Sequence, residues 1–162
     1  MGIYTRTGDK GTTTRYDGSR VPKDDDSIKI VGKFDSLMAS LNYAHITSNE
    51  DVKEILDLIC KKLWQTAGEI SLGKPGKKVK DSIGEEDIKF LEEKINELDP
   101  NINYFINFRT EAGSRLNESR IRCRELESSL TSLYRERAIR EEIYAYINRL
   151  SDLLYVLACK ES

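Results

Sequence analysis

With 162 residues the chain suits one domain around one core, and 38% hydrophobic against 33% charged residues fits helices that hide an apolar stripe beneath a charged surface. The charges nearly cancel, 26 Lys plus Arg against 28 Asp plus Glu for a net of −2, which disfavours nucleic-acid binding through bulk charge. No run of 18 apolar residues occurs and the opening MGIYTRTGDKG has no apolar signal-peptide core, so a cytoplasmic protein without membrane contact is expected.

Residues 1–26 carry no helical period. They hold Gly8, Gly11, Gly18 and Pro22, then the acidic run Asp24-Asp25-Asp26, and read as an ordered arm ahead of a bundle over residues 27–162. Arm and bundle together form a single domain over residues 1–162. From Ser27, Val31, Phe34, Leu37, Met38 and Leu41 recur at three- and four-residue steps and predict a first helix. A second begins near Asp51 with Val52, Ile55, Leu56, Ile59 and Leu63 on one stripe, and Gly73 with Pro75 ends it. A Lys- and Gly-rich loop follows from Gly73 to Gly84. The third helix carries Ile88, Leu91, Ile95 and Leu98 and stops at Asp99-Pro100.

Asn101 to Gly113 reads as irregular and aromatic, with Tyr104, Phe105 and Phe108. A fourth helix then carries Leu116, Cys123, Leu126, Leu130 and Leu133, and a fifth Ile139, Ile143, Ile147, Leu150, Leu154 and Leu157. Sustained strand alternation is absent. The fold class expected is all-α, a five-helix up-and-down bundle with an ordered N-terminal arm. Cys60, Cys123 and Cys159 are scattered without C-x-x-C spacing, as befits thiols in a reducing compartment. His45 is the sole histidine, so neither a di-iron bundle nor a zinc set can be assembled.

Three segments can carry chemistry. Thr5-Arg6-Thr7-Gly8-Asp9-Lys10-Gly11-Thr12-Thr13 combines glycines that let backbone N–H groups converge, a lysine point charge and hydroxyl donors, the makings of a phosphate cradle. It is not a Walker A loop, and a turn with a solvated Lys10 has the same spacing. On the fourth helix, Arg120, Arg124 and Glu127 lie within an arc of roughly 60° at about 100° per residue. They suit anion binding, or else a surface charge ladder. On the fifth, Asn148 and Asp152 form an i,i+4 polar pair beside an apolar stripe, open to a structural or a functional reading.

Taken in order, the run Tyr4 to Gly11, then Pro22-Lys23-Asp24-Asp25, then Arg120 to Glu127, then Asn148-Arg149-Leu150-Ser151-Asp152 resembles the PduO-type ATP:cob(I)alamin adenosyltransferases over nearly the whole chain. The resemblance implies transfer of the 5′-deoxyadenosyl group of ATP to cob(I)alamin, giving adenosylcobalamin and triphosphate. ATP with Mg²⁺ is then the co-substrate, cobalamin the substrate, and the metal is held mainly through the ATP phosphates. The implied ATP-binding residues are Thr5, Arg6, Thr7, Gly8, Asp9, Lys10, Gly11, Thr12, Thr13 and Lys23 of the arm. Arg124, Glu127 and Asn148 join them from the bundle.

Arg120, Arg124 and Glu127 are the implied catalytic residues, and Phe105 and Asp152 the implied cobalamin side. The resemblance further implies a homotrimer in which Asp35 of one subunit meets Arg120 of the next. A reductase or an adenosylcobalamin-dependent acceptor enzyme would be a transient partner. Two segments depart from the family: Ile106 to Gly113 replaces its usual Leu-Pro-Gly-Gly turn, and Arg124-Glu125-Leu126-Glu127-Ser128 lacks two of its arginines. The alternative reading is a non-catalytic relative that binds ATP and a corrinoid as a sensor or carrier.

Overall fold

The computed structural model describes residues 3–74, 76–99, 101 and 106–162. A short antiparallel hairpin, β1 (Thr12–Thr14) and β2 (Arg20–Pro22), precedes five helices: α1 (Asp26–Thr47), α2 (Glu50–Ser71), α3 (Glu85–Leu98), α4 (Glu111–Arg135) and α5 (Glu141–Lys160). Asp25 caps α1, its carboxylate accepting the Ser27 N–H at 3.0 Å. Only Ser48 and Asn49 separate α1 from α2, too few for anything but an antiparallel return. α4 packs along both α1 and α5, α2 packs on α1, and α3 packs on α5.

The apolar stripes read from the sequence form one core. Phe34, Leu37 and Leu41 of α1, Leu116, Leu126 and Leu130 of α4, and Ile147, Leu150 and Leu154 of α5 are all buried within it. Each fully buried aliphatic side chain of this kind contributes roughly 1.5–3 kcal/mol, so the i,i+3,i+4 pattern decides which faces meet. The loop between α2 and α3 is pinned by a buried ion pair. Arg140, just before α5, donates Nε to Glu69 Oε1 at 2.7 Å and Nη2 to Ile83 O at 2.8 Å. Glu69 also accepts the Val79 N–H at 3.0 Å and the Ser82 hydroxyl. Burial pushes the Glu69 carboxyl up, but its bonds to Arg140, Ser82 and Val79 outweigh that and hold it below the usual range.

Two local readings differ from expectation. The arm contains a hairpin, with Thr12 opposite Pro22 and Thr14 opposite Arg20. Three-residue strands leave no alternation to detect, and the turn is signalled only by Asp17, which accepts from Ser19, and by Gly18 at φ 85°. α4 begins at Glu111, so residues 111–113 are helical although they read as loop. Thr110 caps this end, accepting the Gly113 N–H at 3.0 Å and donating to Glu161 O at 2.6 Å. No helix among the described residues is long and apolar enough to cross a membrane.

Candidate functional site

The arm folds back on itself around Gly8. Asp9 N–H bonds Arg6 O at 3.3 Å and Gly11 N–H bonds Gly8 O at 3.2 Å, while Lys23 N–H continues the hairpin ladder to Gly11 O at 2.9 Å. Gly11 sits at φ 79°, a conformation that favours glycine. The Lys23 side chain lies over Gly8: a Cβ placed there would stand 3.2 Å from Lys23 Nζ. Gly8, Gly11, Thr12 and Lys23 are thereby brought together, with the Thr5 and Thr7 hydroxyls bonded to each other at 2.8 Å nearby in the chain. Lys10 is exposed. A lysine above closely folded glycine backbone is the arrangement that accepts a phosphate oxygen.

Two arginines that sequence reasoning did not single out hold this arm in shape. Arg20 donates Nη2 to Thr7 O at 2.6 Å and to the Thr12 hydroxyl, and Nη1 to Thr14 Oγ1 at 3.4 Å. Arg15 reaches into the bundle, with Nη2 on Asp25 Oδ1 at 3.0 Å and Nε on Ser27 Oγ at 3.2 Å. Bonds from Ser27 and from Arg15 lower the Asp25 carboxyl, so the cap is ionised at neutral pH. Neither periodicity nor a motif marks them: Arg15 and Arg20 bracket the hairpin turn, and strands this short leave no alternation to read.

The second group of predicted residues lies on α4 and α5. Arg120 and Arg124 share a shallow depression of about 510 Å³ with Lys33 of α1, Glu125 and two serines. Lys33 is ion-paired to Glu125 at 3.2 Å and Arg120 Nε is held by Asn117 Oδ1 at 2.9 Å, while among the described residues neither Arg120 nor Arg124 is paired with a carboxylate. Glu127 does not line that depression. Burial pushes the Cys123 thiol far up, and the charges of Glu127 and Asp152 add to that while Arg124 opposes it. Asn148 is exposed on α5, and Asp152 pairs with Arg149 at 3.0 Å rather than with Asn148.

A pocket of about 280 Å³ adjoins this region on the α4 N-terminal side, lined by Ile106, Phe108, Asn117, Arg120 and Tyr155. Phe108 is fixed there edge-on to Tyr155, ring centroids 6.0 Å apart. Phe105 lies outside the described residues. Arg120 therefore borders both the basic depression and this aromatic pocket. Asp35 is exposed on α1 in a different groove, with Met38, Cys60 and the 66% exposed Trp64. Among the described residues no ion pair joins Asp35 to Arg120, and no hydrogen bond joins the arm to Arg124, Glu127 or Asn148. Among the described residues the two halves of the predicted ATP site thus share no hydrogen bond, and no arm residue lines the depression at Arg124.

A family model described as cobalamin adenosyltransferase matches residues 3–161. The chain belongs to the cobalamin adenosyltransferase family. A corrinoid adenosyltransferase from Citrobacter freundii is 35% identical to it over 162 residues, covering 96% of this chain and 92% of that protein. The corrinoid adenosyltransferase PduO of Salmonella typhimurium is also 35% identical, over 99% of this chain, which spans 50% of that longer protein. Among solved structures, a variant of the PduO-type ATP:corrinoid adenosyltransferase of Lactobacillus reuteri, complexed with cobalamin and ATP, superposes with a TM-score of 0.81 at 26% identity, covering 97% of this chain and 89% of that one. The similarity to this adenosyltransferase runs from the arm through α5.

Proposed function

We propose that this chain transfers the 5′-deoxyadenosyl group of ATP to cob(I)alamin, producing adenosylcobalamin and triphosphate. The observation that carries the reading is family membership over residues 3–161, spanning both the glycine–lysine cradle and the α4 arginines. In the reaction the cobalt(I) electron pair attacks C5′, the Co–C bond forms, and the C5′–O bond breaks with its electrons leaving on triphosphate. Gly8, Gly11, Thr12 and Lys23 would hold the phosphates, with Thr5, Arg6, Thr7, Asp9, Lys10 and Thr13 around them. Arg124 would meet charge building on the leaving oxygens, and Glu127 and Asn148 would hold the adenosine side. Fixed cations in a water-poor site stabilise such developing charge by roughly 2.7–4 kcal/mol per donor.

Mg²⁺ would reach the site on the phosphates, where it neutralises charge; among the described residues no three His, Cys, Asp or Glu side chains converge on a metal position. Arg120, between the basic depression and the Phe108 pocket, would couple the ATP side to the corrin side, where Phe105 and Asp152 are placed by resemblance. The separation of the two half-sites favours a homotrimer in which the arm of one subunit meets α4 of the next, with Asp35 on Arg120 across the contact. Three free thiols suit a cytoplasmic setting. A reductase, or an enzyme that consumes adenosylcobalamin, would be a transient partner.

The test is incubation of the protein with Mg-ATP and chemically prepared cob(I)alamin, following Co–C bond formation by absorbance and triphosphate by ion chromatography. Both products in equal amounts are expected. ATP binding with no triphosphate would instead establish a sensor or carrier.

A further inference from the structure

Unpaired lysines are unevenly distributed over this molecule. Lys29, Lys33, Lys53, Lys62, Lys89, Lys94 and Lys160 each sit in an ion pair with a carboxylate. Among the described residues the lysines outside any such pair are Lys10 and Lys23 of the arm, Lys61, and Lys74, Lys77, Lys78 and Lys80 of the loop between α2 and α3. Those four loop lysines are exposed and face a single aspartate, Asp81, within the loop.

The loop is moored beside the arm. Tyr16 N–H of the hairpin turn bonds Ser71 Oγ at 3.2 Å, and the Arg15 guanidinium lies against Gly73, 3.2 Å from where a Cβ would stand. Arg15 and Asp25 share a cleft with Gly73, Lys74 and Gly76, and the charge of Lys74 reaches Asp17. The far end is fixed by the Glu69–Arg140 pair, whose side chains are 6% and 10% exposed. These contacts set the two ends of the loop beside the hairpin turn and beside the start of α5.

The arm on its own is electrically neutral: Arg6, Lys10, Arg15, Arg20 and Lys23 are matched by Asp9, Asp17, Asp24, Asp25 and Asp26. The whole chain is at −2, which repels a polyphosphate at a distance. We infer that the lysine loop 74–80 is the capture surface for the polyphosphate of ATP, supplying the local positive field that draws the nucleotide toward the Gly8–Lys23 cradle. This inference rests on the ATP reading of the arm. The loop acts before the nucleotide is seated, through a field that extends about 8 Å at physiological salt, and takes no part in the bond changes.

The experiment compares the native chain with K74S/K77S/K78S/K80S and with a control, K53S/K89S/K94S/K160S, that removes the same charge from α2, α3 and α5. Stopped-flow fluorescence with the Mg²⁺ complex of an N-methylanthraniloyl ATP gives association and dissociation rates at about 10 mM and about 1 M salt, where the screening length falls from about 30 Å to about 3 Å. The loop variant should associate about tenfold more slowly at low salt, dissociate at a nearly native rate, and converge with the native chain at high salt. Its turnover at saturating ATP should be unchanged. Equal association rates for native and loop variant, or equal slowing in the control, overturns the capture role while leaving the ATP site standing. Absence of nucleotide binding by the native chain overturns both.

Discussion

At the scale of single residues, the proposed phosphate cradle turns on Gly8, whose missing side chain leaves room beneath Lys23. A methyl group there would press on Lys23 Nζ at 3.2 Å and Cε at 3.3 Å, and would fill the space between that ammonium and the backbone. The lysine tip is flexible, so the fold tolerates the change while the cradle closes. Gly8→Ala should raise KM for ATP about tenfold, about 1.4 kcal/mol of lost binding, with little effect on kcat. Steady-state kinetics with a melting curve checks this, and an unchanged KM would place the phosphates elsewhere. The sequence made Gly8 and Lys10 readable as a candidate cradle because their chemistry is local, and the structure leaves Lys10 exposed. The sequence concealed that Lys23, fifteen residues on, covers Gly8, because that closeness comes from the β1–β2 pairing.

At the scale of elements, the helices were legible wherever burial follows a period near 3.6, as in Ile55, Leu56, Ile59 and Leu63 of α2. The start of α4 was not, because Gly113 reads as a loop residue. Its reason is tertiary: a Cβ on Gly113 would stand 2.6 Å from Ser162 Oγ, 2.8 Å from Thr110 Oγ1 and 3.1 Å from Ala158 O. Glycine lets α4 approach the end of α5. Two effects compete in Gly113→Ala, a gain of about 1 kcal/mol in helix propensity and an overpacking cost of about 1–3 kcal/mol. One of the crowded atoms is helix backbone, which moves least, so the variant should be less stable by about 1 kcal/mol in urea unfolding. A more stable variant would mean the two helix ends separate easily. The pin between α2 and α5 gives a pH signature. Glu69 has a folded pKa below its unfolded value, so its stabilisation is fully present above about pH 4.5 and is lost as pH falls through the folded pKa. Glu69→Gln leaves Arg140 buried beside a neutral partner and should cost about 3–5 kcal/mol at pH 7, with the difference from native narrowing in acid. Unfolding free energies at pH 7 and pH 3 test both size and direction, and an equal loss at the two would exclude the ion pair as its source.

At the scale of the whole molecule, the proposed phosphate cradle of the arm and the arginine face of α4 share no hydrogen bond or ion pair among the described residues. The proposed shared site therefore has a second copy of the chain supply the half that one copy does not bring to its own arm. Asp35 and Arg120 sit in separate surface depressions, and a heterologous contact of the proposed ring would join two such different patches. The sequence motifs made both halves legible, whereas their separation depends on how α1, α4 and the arm are arranged in space. A mixing experiment distinguishes a shared site from a self-contained one. Lys23→Ala should disable the arm half, and Arg124→Ala the helix half. Each variant alone should lose nearly all activity. Unfolded and refolded together in equal amounts, they should assemble at random into rings. A shared site is then intact when its arm comes from the Arg124→Ala chain and its helix from the Lys23→Ala chain, which in a random closed ring happens at about one site in four. Activity should therefore return to about a quarter of the refolded native level. A self-contained site needs both sound halves in one chain, and no mixture supplies that. Recovery near zero, with assemblies shown by light scattering to contain both variants, would reject the shared site.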